Sequence, residues 1–361
     1  MVTVAQFKVS FSRFLDATGA VVAELPPFAQ DSELLKDLYR WMLLTREFDT
    51  RAVTLQRTGQ LGTFPSSLGQ EAVSVGLAHA MQPTDVFVPS FREQGAQFVR
   101  GVSPTELLLY WGGDERGSDF AGPREDFPVS VPVGSQAAHA VGIALAIKLR
   151  RENRAVVCAL GDGATSKGDI YEAMNVAGAW QLPLVFIINN NAWAISVPRS
   201  AQTAAETLAQ KAIAAGFPGE QVDGNDIIAV RHATDCALQQ CREGGGPQLI
   251  EAITYRLGDH TTADDAARYR QEEEVSSHWQ AEPLARLRTH LSSAHGWDRD
   301  QEEAVIADCR EQIEQAVADY LATPVQDTSA MFDYLYAELP APLAEQYQAL
   351  QQRSAQEQDH D

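Results

Sequence analysis

Residues 155–198 read AVVCALGDGATSKGDIYEAMNVAGAWQLPLVFIINNNAWAISVP. Two apolar runs of strand length, Ala155–Leu160 and Leu184–Ile188, enclose a helical stretch from about Ser166 to Trp180. A strand, a helix and a second strand of this kind form a βαβ unit, and such units build a parallel sheet. Each strand runs straight into a polar cluster, Gly161-Asp162-Gly163 after the first and Asn189-Asn190-Asn191 after the second. Asn191 lies 29 positions after Asp162. In doubly wound sheets, ligands bind at the carboxyl ends of the strands. The spacing therefore predicts that both clusters share one edge and one ligand.

Working outward, Gln221–Val222 and Gln248–Tyr255 supply two more strand-length runs. A helix is expected from Asp31 or Ser32, where Leu34, Leu35, Leu38, Tyr39, Met42 and Phe48 recur at helical spacing, to an end marked by Gly59. Residues 137–146, rich in Ala and Gly, form a helix whose small side chains suit a core or subunit interface. Before residue 31, Phe11–Leu15 and Ala20–Val22 flank Thr18-Gly19, a short hairpin signal. Asp298–Tyr320 reads as an acidic amphipathic helix and 341–358 as a Gln-rich one. The expected organisation is an N-terminal arm (1–30), an α/β domain with a parallel sheet flanked by helices (31–325), and a C-terminal helical extension (326–361).

The formal charge of −21 argues against a nucleic-acid partner, because phosphate binding needs a basic surface. No apolar run is long enough to span a bilayer, and the N-terminus resembles neither a signal peptide nor an acid-poor transit peptide. A cytoplasmic, bacterial protein is expected, with no membrane partner. Cys158, Cys236, Cys241 and Cys309 show neither metal spacing nor a disulfide framework.

The two polar clusters suit a diphosphate held through Mg²⁺, a hard cation shared between one or two protein oxygens and phosphates. Asp162 would give a carboxylate, Asn191 a carbamoyl oxygen and Trp193 a backbone carbonyl. Gly161 and Gly163 allow close approach of the main chain, and the helix that follows points its N-terminus at the phosphates. Taken singly, each cluster is an ordinary turn. Two of them, each ending a buried strand at this spacing, are far more specific.

From these residues outward, the chain resembles the alpha subunits of thiamine-diphosphate-dependent 2-oxo acid dehydrogenases, the E1 component of heterotetrameric type. The likeness continues through GTFPSSLGQEAVSVG (62–76), FREQGAQFVRG (91–101), PVGSQAAHAVGIALA (132–146), VDGNDIIAV (222–230) and LIEAITYRLGDHTTADDAARYR (249–270). It implies a thiamin diphosphate-binding fold, thiamine diphosphate with Mg²⁺ as cofactors, and an E1 beta subunit that completes an α2β2 assembly. It also implies transfer of the acyl group to the lipoyl group of an E2 acyltransferase. Asp162, Asn191 and Trp193 are carried over as metal ligands, Gly163 and Ala164 as the lining of the diphosphate, and Phe91 and Arg92 as a phosphate-binding pair. Val131 and Val133 match backbone positions that touch the aminopyrimidine ring, and Phe64 an aromatic position of the substrate region. His260 matches a catalytic histidine on an active-site loop. Thr261 stands where some relatives carry a phosphorylatable serine, and Asn189 where some carry an arginine. Asp169 and Glu172 share a helix face, which is either a solvated helix start or part of an acidic proton relay between two sites.

Within the family, residues 201–215 and 216–224 resemble pyruvate enzymes of Gram-positive type, so the expected activity is that of a pyruvate dehydrogenase E1 alpha subunit. A branched-chain 2-oxo acid enzyme is the near alternative, and a noncatalytic subunit on the same fold the distant one. The loop 257–270, with few apolar anchors, is expected to be loosely held until cofactor binds, with trypsin sites at Arg256, Arg268 and Arg270.

Overall fold

The computed structural model describes residues 1–358. Its centre is a six-stranded sheet whose pairings are all parallel. The strands are β1 (Phe11–Ser12), β2 (Val86–Val88), β3 (Val156–Gly161), β4 (Leu184–Asn190), β7 (Gly219–Asp223) and β8 (Gln248–Ile253), in the order β1-β7-β8-β4-β3-β2. A small antiparallel pair, β5 (Trp193–Ala194) and β6 (Val197–Pro198), follows β4.

Every residue of β3 from Val156 to Leu160 is buried, as is all of β4. Burial on both faces is why these segments read as continuous apolar runs rather than alternating ones. Val156, Cys158, Leu160, Phe186 and Ile188 pack on one side with helices Ser135–Arg150 and Gly168–Trp180. Val157, Ala159, Val185 and Ile187 face the other side, against helices Glu71–His79 and Ile227–Arg242. The long helix Ser32–Arg57 starts as expected, with the Asp31 carboxylate accepting from the N–H groups of Glu33 and Leu34.

Three local readings are revised, and one strand was not foreseen. The chain does turn at Asp16–Ala20, with Gly19 at φ +79° and a Leu15–Val21 bridge. However, Phe11–Ser12 leaves that hairpin and joins β7 in parallel, covering a sheet edge. The Asp226 carboxylate fixes this arm by accepting from the N–H groups of Phe14 and Leu15. The helix after the Gly-Asp-Gly cluster begins at Gly168, because Gly163–Ser166 forms a separate 3₁₀ turn. The strand expected over Gln248–Tyr255 stops at Ile253, and β2 is too short to show in the sequence pattern. The chain forms two compact units, the first ending at Val317 and the second beginning at Ala318. The second holds helices Ala330–Asp333 and Ala341–Gln358, with Phe332 edge-on to Tyr347. No helix among the described residues is long and apolar enough to cross a membrane.

In the helix Ser135–Arg150, Ala137, Ala140 and Ala144 enter the core, whereas Ala138 and Gly142 lie exposed. A Cβ at Gly142 would meet nothing within 4 Å. At Gly178 a Cβ would stand 2.0 Å from the carbonyl oxygen of Ala215, so the helix Gly168–Trp180 needs a glycine there to lie against that turn. Gly178→Ala should therefore lower stability by about 1–3 kcal/mol in urea unfolding. Gly142→Leu should leave the fold of the chain intact, and a comparable loss there would show that this helix face is packed.

Candidate active site

Pairing of β3 with β4 places Gly161 directly beside Asn189, so the two polar clusters leave the sheet side by side. They line a cavity of about 230 Å³, which Gln70, Phe91, Arg92, Val133, Trp193 and His260 also border. Complete small-molecule sites usually run to roughly 300–1,000 Å³. Of the residues expected from the sequence, Phe91, Arg92, Val133, Asp162, Gly163, Ala164, Asn191, Trp193 and His260 come together here.

Asp162 is 2% exposed, and its Oδ2 accepts from Gln202 Nε2 at 2.6 Å. Burial pushes its pKa up, and the Gln202 bond opposes that shift. The Asn191 Oδ1 accepts from the Trp193 N–H at 3.3 Å, and its Nδ2 donates to Gln70 Oε1 at 2.8 Å. Gly163 lies so close to β5 that a Cβ would come within 2.6 Å of the Ala194 Cβ. Among the described residues no group of three or more His, Cys, Asp or Glu could hold a metal. One carboxylate and one amide oxygen instead suit a hard cation whose other ligands arrive on a phosphate. The Trp193 carbonyl accepts from Arg256 at 3.1 Å, so that third expected ligand is turned toward a cation in this structure.

Two buried guanidinium groups lie near these oxygens, Arg92 lining the cavity and Arg256 bonded to the Trp193 carbonyl. Arg92 donates to the Ser66 carbonyl (2.6 Å), the His260 carbonyl (2.7 Å) and His260 Nδ1 (2.8 Å). Arg256, wholly buried, donates to the Trp193 and Ile195 carbonyls and to the Tyr269 hydroxyl. None of these partners is a carboxylate. Burial, then the neighbouring Arg256, lowers Arg92 to about 9. Buried cations served only by neutral acceptors favour an arriving anion. Arg256 and Gln202 were not foreseen. Arg256 sits four residues before His260 in a stretch that had already been singled out, and there the signal was a charge at the end of an apolar run.

Since Arg92 can only donate, His260 Nδ1 must accept, which leaves the ring proton on Nε2. Burial and the two arginines push this histidine down to about 4. Phe91 meets its ring edge-on at 6.2 Å. At neutral pH His260 is thus a neutral hydrogen-bond donor rather than an acid. Its loop is also better held than its composition suggests. Thr262 N–H donates to the Phe64 carbonyl at 2.9 Å, Phe64 N–H to Thr262 Oγ1 at 3.0 Å, and Arg270 to the Gly258 carbonyl at 2.9 Å. Arg256 and Arg270 are buried, so Arg268 is the accessible trypsin site of the three.

Four expected residues lie outside the cavity. Phe64 is fully buried between Phe48 and Trp111 and touches the site only through its backbone bonds to Thr262. Val131 is 51% exposed. Asp169 is exposed and pairs with Lys167 at 3.0 Å, which lowers its pKa, and Glu172 is exposed on the same helix.

A parallel α/β sheet with paired polar loops at its carboxyl edge, and a buried arginine bordering the cavity between them, is an arrangement suited to an anionic ligand. The family model described as "Dehydrogenase E1 component" matches residues 39–329, and the chain belongs to that family, whose members depend on thiamine diphosphate. The 3-methyl-2-oxobutanoate dehydrogenase subunit alpha of Mycobacterium tuberculosis (strain ATCC 25618 / H37Rv) is 44% identical over 321 residues, 88% of this chain and 87% of that one. The pyruvate dehydrogenase E1 component subunit alpha of Staphylococcus aureus (strain Mu50 / ATCC 700699) is 38% identical over 352 residues, 97% and 95% of the two chains.

The sign of the His260 shift gives a direct test. Its folded value lies below the ordinary 6.5, so the folded chain resists a proton that the unfolded chain takes up. The stability that the neutral ring contributes is present above 6.5 and is lost as pH falls toward about 4. In ¹³C-histidine NMR, the resonance that disappears in His260→Asn should not titrate between pH 8 and 5. A midpoint near 6.5 would show that the ring is not held between the arginines.

Proposed function

We propose that this chain is the alpha subunit of a 2-oxo acid dehydrogenase E1 component that decarboxylates pyruvate and passes the acetyl group to the lipoyl group of an E2 partner. The observation that supports this most is the register of Gly161 with Asn189, which brings Asp162 and Asn191 to one cavity that Arg92 also lines and whose Trp193 carbonyl Arg256 holds. Thiamine diphosphate, when bound, supplies the electron sink on which the carboxylate is lost. The protein's own residues bind and orient. Asp162 and Asn191 would hold Mg²⁺, with the Trp193 carbonyl as a third ligand once Arg256 releases it. Gly163 and Ala164 admit the diphosphate to the backbone, and Arg92 with Phe91 borders it. His260 offers its Nε2–H to an oxygen at the reacting end of the site.

The cofactor's far end would be covered by a beta subunit in an α2β2 assembly. Val131, Val133 and Ile195, all about half exposed, provide an apolar rim for it. Asp169 and Glu172, solvated in the single chain, would join a proton relay only if that assembly buries them. Phe64 would influence substrate only indirectly, by anchoring the His260 loop through Thr262. A second reading of the substrate is 3-methyl-2-oxobutanoate, favoured by the 44% identity to the mycobacterial enzyme against 38% to the staphylococcal one.

The heterotetramer, co-expressed with its beta subunit, should reduce an artificial electron acceptor with the highest kcat/KM on pyruvate. A higher value for 3-methyl-2-oxobutanoate would transfer the assignment to the branched-chain reading, and no turnover of any 2-oxo acid would favour a noncatalytic subunit. Asp162→Ala should reduce turnover at least about 100-fold without loss of assembly, because a phosphate-anchoring ligand disappears while the sheet core is untouched. Tryptic cleavage at Arg268 should slow when thiamine diphosphate and Mg²⁺ are added, and equal rates would uncouple the loop from the site.

A further inference from the structure

Gln70 opens the helix Glu71–His79 and is 1% exposed, yet it borders the cavity. Its Oε1 accepts from two amides at once, Asn191 Nδ2 at 2.8 Å and Asn189 Nδ2 at 3.1 Å. The orientation of this cluster is set by a group that cannot be reversed. The Trp193 backbone N–H is a donor only, so the Asn191 atom facing it must be the carbonyl oxygen Oδ1. Asn191 Nδ2 therefore points at Gln70, and the Gln70 atom that receives it must be Oε1. The remaining atom, Gln70 Nε2, is buried and has no hydrogen-bond partner. A buried donor left unpaired costs free energy until something accepts from it.

We propose that Gln70 is a positioning residue with two functions: its Oε1 holds the Asn191 amide with the oxygen free for a metal ion, and its Nε2–H donates to an oxygen of the diphosphate bound in the cavity. The proposal rests on the reading of Asp162 and Asn191 as the metal–diphosphate site. Gln70 makes both contacts from a fixed base. Glu71, the next residue, is ion-paired with Arg46 and accepts from the Gly69 N–H, so the turn that carries Gln70 is held on both sides. Partners that orient a metal ligand typically change metal affinity about 10- to 100-fold when removed.

Two substitutions separate the functions in the co-expressed heterotetramer. Gln70→Met keeps the volume but loses acceptor and donor together. Gln70→Glu keeps an acceptor for the two asparagines and turns an anionic oxygen toward the cavity in place of the donor. Free Mn²⁺ would be counted by EPR at saturating thiamine diphosphate, and the cofactor's Kd taken from tryptophan fluorescence quenching at saturating Mg²⁺. Ligand-free unfolding midpoints would check the fold. The Met variant should weaken both affinities about 10- to 100-fold. The Glu variant should hold Mn²⁺ within about threefold of wild type yet weaken the cofactor by at least about 10-fold. Wild-type affinities in the Met variant would overturn the proposal, as would a Glu variant that binds the cofactor normally. If the Met variant fails to assemble, the split in the Glu variant alone decides. Asp162→Ala serves as the reference. Normal Mn²⁺ binding there would sink the site reading itself, whereas loss there with unaffected Gln70 variants would sink only this inference.

Discussion

The site depends on one register. Because β3 and β4 pair in parallel with Gly161 opposite Asn189, the chain must leave both strands at the same height and on the same edge. Slipping the pairing by one residue would turn Cys158 and Leu160 to the opposite face of the sheet, away from Phe186 and Ile188. The apolar packing on both faces forbids that. The same packing that stabilises the sheet therefore fixes the separation of Asp162 and Asn191, and no loop has to be rigid by itself to hold them.

Charge is arranged around that edge in an unequal way. Asp162 is a carboxylate whose pKa burial raises, and Arg92 and Arg256 are buried cations whose hydrogen-bond partners are neutral. Neither arrangement is comfortable without a ligand, since each buried charge lacks a counter-charge in contact. Gln202 on Asp162 and Arg256 on the Trp193 carbonyl partly satisfy these groups in the ligand-free chain. A ligand that carries both signs, as the proposed magnesium diphosphate does, would relieve both together. Burial, and then the neighbouring Arg92 and Arg256, keep the His260 ring neutral.

What could be read in the sequence was what local pattern controls. Apolar runs of strand length, a helical stretch between them and polar clusters at their ends lie within 40 or so residues of chain, so periodicity and turn chemistry reveal them. The family resemblance extended this to Arg92, Val133 and His260, and the cavity holds all three. Arg256, Gln202 and Gln70 escaped because tertiary register alone brings Gln70 to the cavity, Arg256 to Trp193 and Gln202 to Asp162. In sequence, a Gln before a helix or an Arg at a strand end looks like any solvated polar residue. The arm was misjudged for a related reason. A hairpin signal is local, but the edge of β7 that captures Phe11–Ser12 is 200 residues away.

The residues that stay outside the cavity follow a rule of their own. Val131, Asp169 and Glu172 all lie exposed in the single chain, and none is disordered or misplaced by any internal contact. Their sequence positions flank the site on the helix Gly168–Trp180 and on the segment before Ser135, so they are near the chemistry along the chain while facing away from it. Val131 would become part of an apolar contact only if a second surface covered it. The exposed rim is thus the surface that the proposed beta subunit would have to cover.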